Sequence, residues 1–411
     1  LLVFGSVAQR AQQQMALAPT PLLPVPTLTS EPYPPPIRTR PPTITPQPYP
    51  PPQTPTVIPP ATPTTEPPTP IVTPPVPITS TLEIIWAETT WIREENRPVS
   101  ITFWRANVAD LANRTEIGTL PIAEWLGNAK LSPDGDKIAF TTCSGSCGPW
   151  DGSLWVMNTD GSGLRKIAQG IEAVDARGHS PAWSRDAQNL IYLRVVPKEP
   201  LESKESADIC ELHSISADGA KDKTLVTEAM VSIYPLGWSA DGKLIYYDRI
   251  SRGHELWAVD ANGERPPQHI MPLPDQYKFS PDGTKLIIYT PEEGLVILST
   301  DGRERRTFVP PEQAFGGIWS SDGTEFIGRR GWELQLRAAN VATGATRVLV
   351  TAQLTDISDD LLAISPDHQW LAIQGYGKGE IYLLWIGTDL RLEVPKMGIA
   401  TFVGWIARRP Y

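Results

Sequence analysis

Trp238-Ser239-Ala240-Asp241-Gly242-Lys243-Leu244-Ile245-Tyr246-Tyr247 reads as a tight turn that feeds an apolar strand. In this phrase Asp bonds back to nearby backbone and Gly takes a positive φ; where Pro stands at the second turn position it presets φ as well. The same phrase recurs as Leu131-Ser132-Pro133-Asp134-Gly135, Trp183-Ser184-Arg185-Asp186, Phe279-Ser280-Pro281-Asp282-Gly283, Trp319-Ser320-Ser321-Asp322-Gly323 and Ile364-Ser365-Pro366-Asp367. Spacings of roughly 40 to 55 residues fall in the range of propeller blades. After each phrase comes an apolar strand such as Lys137-Ile138-Ala139-Phe140 or Lys285-Leu286-Ile287-Ile288-Tyr289. A second strand follows and ends in another polar turn, as in Leu154-Trp155-Val156-Met157-Asn158-Thr159-Asp160-Gly161 and Leu256-Trp257-Ala258-Val259-Asp260-Ala261-Asn262-Gly263. These are hairpins. Asp134, Asp241, Asp282 and Asp322 recur once per repeat, so they are read as turn holders and not as paired catalytic carboxylates.

The run from Trp183 to Ser299, and less perfectly the whole of residues 81–411, resembles the TolB-like repeat, a WD40-like (PD40) propeller repeat. Its consensus is Trp-Ser-Pro-Asp-Gly, an apolar strand, then Leu-Trp-x-Met-Asn-x-Asp-Gly. The resemblance implies an all-β fold, a β-propeller of four-stranded blades. It implies no single activity, because the family mixes periplasmic binding proteins, propellers attached to serine peptidases and some polysaccharide lyases.

Second strands of the Leu-Trp-Val-Met kind lie near Phe103, Trp155, Leu212, Trp257, Val296, Leu336 and Leu383, which makes seven blades; six, as in TolB-like relatives, is the alternative. The two ends of the repeat region are complementary. Leu82-Glu83-Ile84-Ile85-Trp86 and Ile101-Thr102-Phe103-Trp104 have no anchor strand before them, and Phe402-Val403-Gly404-Trp405-Ile406 is an anchor strand with nothing after it. Pairing the last strand with the first blade closes the ring and removes open edges.

Three segments are expected along the chain. Residues 1–18 read as the remnant of a signal peptide or membrane anchor, from Leu1-Leu2-Val3-Phe4-Gly5-Ser6-Val7-Ala8. Residues 19–80 are rich in Pro and Thr, cannot pack a core, and read as a disordered linker that favours extended polyproline II at up to ~3.1 Å per residue. Residues 81–411 are the propeller. The expected location is therefore secreted or cell-envelope, outside the cytoplasm, with membrane contact only through the N-terminal anchor. A net charge of -10 argues against nucleic acid as a partner, because phosphate tracking needs clustered Lys and Arg.

Chemistry is sparse. His179, His213, His254, His269 and His368 show no pair at metal-ligand spacing, so no metal and no cofactor are expected. Ser144-Gly145-Ser146-Cys147-Gly148 fails the nucleophile-elbow pattern, and no catalytic residue is assigned. Cys143 and Cys147 are the candidate disulfide, with Cys210 as the rival partner. In a propeller, connections between the second and third strands of a blade share a face with the interblade crossings. Three consecutive ones are long: Thr89 to Ser100, Thr141 to Gly152 and Arg194 to Asp208. Trp91 and Trp150 are the candidate aromatic anchors of this face, with Arg93 and Asp151 as polar selectors and His179 toward the channel mouth. The function expected is a non-enzymatic, monomeric binding or scaffold propeller for a protein, glycan or cell-wall ligand. The alternative is a lyase-like carbohydrate-active enzyme with a channel metal, which requires other histidines to converge on His179.

Overall fold

The computed structural model describes residues 81–407 apart from 93, 96, 145–146, 148–150, 174–179, 197–208, 230, 330–334, 351–356, 376–378 and 389. The N-terminal anchor remnant and the linker, residues 1–80, lie outside the described residues. The described chain forms seven sheets of four antiparallel strands. In six of them the strands follow sequence order: blade 2 spans 125–171, blade 3 182–229, blade 4 232–273, blade 5 277–309, blade 6 316–350 and blade 7 357–393.

Blade 1 is the exception that closes the ring. Its first strand in space is the last in sequence, Ile399–Ala407, paired antiparallel with Leu82–Ile92 from Leu82↔Ala407 to Thr89↔Ile399. Arg97–Asn107 and Asp110–Leu120 complete the sheet. Both the seven-blade count and the closure expected from the sequence are therefore observed.

The core is divided by seam. Each blade buries both faces against its neighbours, so the strand runs are apolar and not alternating. Seven separate apolar clusters result. Ile84, Trp86, Trp370 and Leu383 fill the seam between blades 7 and 1, Ile85, Phe103 and Phe140 that between 1 and 2, and Ile287, Phe315 and Phe326 that between 5 and 6.

The recurring Trp of the phrase adds a directed bond to this packing. Trp183 Nε1 donates to the carbonyl of Lys130 (3.1 Å), Trp238 Nε1 to that of Ala182 (3.3 Å) and Trp319 Nε1 to that of Lys278 (3.0 Å). Each acceptor lies on the innermost strand of the preceding blade. The anchor Trp thus satisfies its ring N–H while fixing adjacent blades around the axis.

The turn aspartates act as read from the sequence. In each phrase the Ser hydroxyl donates to the Asp carboxylate, at 2.5–2.7 Å for Ser132–Asp134, Ser184–Asp186, Ser239–Asp241, Ser280–Asp282, Ser320–Asp322 and Ser365–Asp367. The same Asp oxygen accepts the backbone N–H two residues on, as Asp241 does from Lys243. The Ser oxygen accepts the N–H that starts the next strand, as Ser239 does from Leu244.

These bonds favour the ionised acid. The Ser239 hydroxyl and the Lys243 N–H hold the Asp241 carboxyl below the usual range. At Asp322 burial pushes upward, but Ser320, Thr324 and the His368 imidazole outweigh it and bring the pKa down to about 2. A folded pKa below the unfolded ~3.9 means that Asp322 stabilises the fold above pH ~4 and loses that contribution as pH falls toward about 2. Thermal melts between pH 5 and pH 2 should show this decline, and Asp322→Asn should flatten part of it. An unchanged pH profile in that variant would remove the turn from the account of acid stability.

One expectation changes. The span Thr89 to Ser100 is not a loop over its whole length, because Thr89↔Ile101, Thr90↔Ser100, Trp91↔Pro98 and Ile92↔Arg97 continue the ladder. Thr and Trp favour a pleated, half-buried surface, so the hairpin extends until residues 93–96.

Candidate functional site

The connections between second and third strands do differ around the ring. They run 144–151 in blade 2 and 197–208 in blade 3, against 251–253 in blade 4 and 291–293 in blade 5. Blade 1 reaches out differently, with a hairpin of two strands of 11 residues each.

Of the five candidate site residues, Arg93, Trp150 and His179 lie outside the described residues. Trp91 is half-buried and packs on Trp125, the first residue of blade 2, with ring centroids 5.9 Å apart and planes tilted by 56°. Asp151 closes the blade 2 connection. Its Oδ2 accepts from the Ser144 hydroxyl at 3.4 Å, and its Oδ1 is buried without a hydrogen-bond partner among the described residues. Trp91 and Asp151 therefore sit on separate blades. In the same connection Cys143 and Cys147 are joined by a disulfide, Cα atoms 5.0 Å apart.

Beside Trp91 the crossing from blade 7 to the closing strand is tied down by Glu88. This carboxylate is only 3% exposed. It accepts from Trp86 Nε1 (3.0 Å), Arg114 Nη1 (2.9 Å) and the backbone N–H of Met397 (3.0 Å). The Met397 side chain projects outward and is 84% exposed.

On the other side of the ring, between blades 5 and 6, a cavity of about 350 Å³ opens beside the interblade crossings. Ile287, Leu295, Phe315 and Phe326 form its apolar floor; Asp275, Gln276, Lys278 and Tyr289 contribute to its wall. The neighbouring seam between blades 4 and 5 is filled at the corresponding end by polar side chains. There the fully buried Asp248 is hydrogen-bonded to His254 Nδ1 (2.8 Å) and accepts from the Tyr277 hydroxyl (2.7 Å). His254 Nε2 lies 3.7 Å from the Asp275 carboxylate.

The described histidines are engaged with side chains around them. His213 contacts Glu211 and Asp222, His368 contacts Asp322 and Glu325, and His269 meets the edge of Trp257. Among the described residues no group of three or more His, Cys, Asp or Glu is placed to hold a metal. Sequence reading missed the cavity and the Asp248 network. Their signal was available only by aligning the blades strand against strand, where Asp248 and Tyr289 occupy the same register position.

The sequence matches no protein-family model and no curated protein. Solved structures do resemble it. They include the Pyrococcus horikoshii acylaminoacyl peptidase at 15% identity and TM-score 0.53, covering 77% of this chain and 51% of that one. An oligogalacturonate lyase in complex with manganese follows at 11% identity and TM-score 0.50, covering 74% and 90%. TolB from Acinetobacter baumannii is similar at 11% identity and TM-score 0.42, covering 78% of this chain and 66% of that one. At these identities the likeness to the peptidase and the lyase shows the β-propeller fold alone. No helix among the described residues is long and apolar enough to cross a membrane.

Proposed function

We propose that this chain is a non-enzymatic binding propeller that works outside the cytoplasm and presents the connections of blades 1 to 3 to a protein or glycan of the cell envelope. The observation that carries the reading is the asymmetry of the ring. A propeller built only for its own stability needs short turns everywhere, yet 144–151 and 197–208 are elaborated beside an extended blade 1 hairpin while blades 4 and 5 keep 251–253 and 291–293. The Cys143–Cys147 bridge supports an oxidising compartment, where such bonds persist. The export-like start and the Pro/Thr-rich spacer point the same way. Trp91, Arg93, Trp150 and Asp151 remain the residues assigned to recognition, on the grounds that Trp and Arg dominate interface hot spots. The acidic charge fits a partner other than nucleic acid.

The test is direct. The full chain is screened against peptidoglycan fragments, envelope polysaccharides and exported proteins, and Trp91→Ala and Trp150→Ala are compared with it on whichever binds. Each should weaken binding at least ~10-fold, the equivalent of ~1.4 kcal/mol, with little change in melting temperature. Normal binding by both variants, or loss of binding through unfolding of both, places the face elsewhere. Cleavage of a bound glycan turns the assignment to the enzyme alternative.

A further inference from the structure

The cavity between blades 5 and 6 exists because three positions that close the preceding seam carry different residues. In blade 4, the fifth residue of the second strand is Asp248 and the first of the third strand is His254; in blade 5 these positions hold Tyr289 and Gly294. Two residues before the anchor Phe279 stands Tyr277; two before the anchor Trp319 stands Gly317. In the seam between blades 4 and 5, Tyr277 is buried among Leu236, Tyr246 and Leu286, with its hydroxyl on Asp248. In the seam between blades 5 and 6 the tyrosine is missing from its place.

The opening is fixed in the backbone. A Cβ on Gly317 would come within 2.1 Å of the Ile327 carbonyl oxygen, and one on Gly294 within 2.3 Å of the Val309 carbonyl oxygen. No side chain can enter from those positions without moving a strand. What remains is an apolar floor of Ile287, Leu295, Phe315 and Phe326, over which Tyr289 stays 41% exposed. The mouth is polar, with the Asp275 carboxylate 97% exposed and Lys278 on the exposed side of its strand.

We infer that this cavity is a binding site for a phenol-type aromatic ring, inserted where the neighbouring seam keeps Tyr277. An apolar deep end and a polar rim select an amphipathic ligand, with the ring against the floor and its polar substituents toward the mouth. A volume of about 350 Å³ takes one ring together with its attachments. The ring comes either from a tyrosine side chain of a partner or from a free small aromatic molecule. The site lies across the ring from blades 1 to 3, so it stands or falls independently of the recognition face assigned there.

The experiment uses the full chain with p-cresol, N-acetyltyrosinamide and cyclohexanol as probes, followed by ligand-observed NMR and titration. Binding of p-cresol with Kd on the order of 1 mM or tighter is expected, with cyclohexanol at least ~3-fold weaker. Lys278 lines the cavity wall at an exposed strand position, alternating with Tyr277 and Phe279 of the preceding seam, so Lys278→Trp sets an indole across the cavity without entering the core. That variant should weaken p-cresol at least ~10-fold at unchanged melting temperature. Tyr289→Ala, at an exposed position, should weaken it at least ~3-fold and serves if Lys278→Trp does not fold. Binding of both aromatic probes assigns the site to a partner side chain; p-cresol alone assigns it to a free small aromatic. No p-cresol binding at 10 mM (roughly ten times the expected Kd), or equal binding by wild type and both variants, overturns the inference.

Discussion

Deleting residues 400–411 should leave a chain that cannot hold a soluble, monomeric ring. The deletion removes all but the first residue of the strand Ile399–Ala407, and with it the pairing partners of Leu82–Glu88. Blade 1 would then present a long unpaired edge in a protein that closes its ring to avoid one. The loss is also one of core, because the strand faces two seams. Ala400 and Trp405 belong to the cluster between blades 7 and 1, and Val403 to the cluster between blades 1 and 2. Burying a large apolar side chain contributes ~1.5–3 kcal/mol, so losing Val403 and Trp405 together with the hydrogen-bond ladder removes a sum comparable with the ~5–15 kcal/mol margin of a typical domain. Gly404 adds a constraint of shape, since a Cβ there would come within 3.0 Å of Leu131 Cβ. Light scattering after size exclusion should report aggregates, and any soluble fraction should melt far below wild type. A truncated chain that elutes as a monomer and melts normally means the ring is sealed in some other way.

The parts of this architecture that repeat were legible in the sequence, and the parts that occur once were not. The Ser-x-Asp turns could be read because their hydrogen bonds run between residues two to five apart, as from Ser239 to Asp241 and from Leu244 to Ser239. The closure was readable for a related reason: one anchor strand was missing at the start and one was spare at the end. The length of the blade 1 hairpin was misjudged because Thr89–Ile92 and Arg97–Ser100 lack the apolar run that marks the other strands, yet their cross-strand pairing extends the ladder. The Glu88 network joins residues 26 and 309 positions apart, with no local pattern to announce it. The cavity is still less visible. It comes from Gly317 and Tyr289 standing where the adjoining repeat has Tyr277 and Asp248, and that substitution has meaning only once the seams are superposed.

Replacing Arg114 by Met should destabilise the propeller by ~3–5 kcal/mol, the range seen when one partner of a buried ion pair is removed. Arg114 reaches from the third strand of blade 1 to Glu88 at 2.9 Å, and the same Nη1 donates to the Pro395 carbonyl at 2.8 Å. Its guanidinium also lies over the Trp104 ring, 4.1 Å from the centroid. With Glu88 only 3% exposed, the variant would leave a carboxylate out of water with two neutral donors, Trp86 Nε1 and the Met397 N–H. The Met397 N–H on Glu88 and the Arg114 bond to the Pro395 carbonyl are what tie the blade 7 crossing to blade 1, so the loss falls on the closure itself. Adding Glu88→Gln removes the uncompensated charge and keeps one oxygen, enough to accept from either Trp86 Nε1 or the Met397 N–H but not both, because the two bond different oxygens of Glu88. The double variant should therefore recover a measurable part of the loss, a coupling that a purely steric effect of the introduced methionine would not produce. Urea unfolding of wild type, Arg114→Met, Glu88→Gln and the double variant measures the cycle. If Arg114→Met stays within about 0.5 kcal/mol of wild type, as ordinary surface substitutions do, the Glu88 network is not what holds the closing crossing in place.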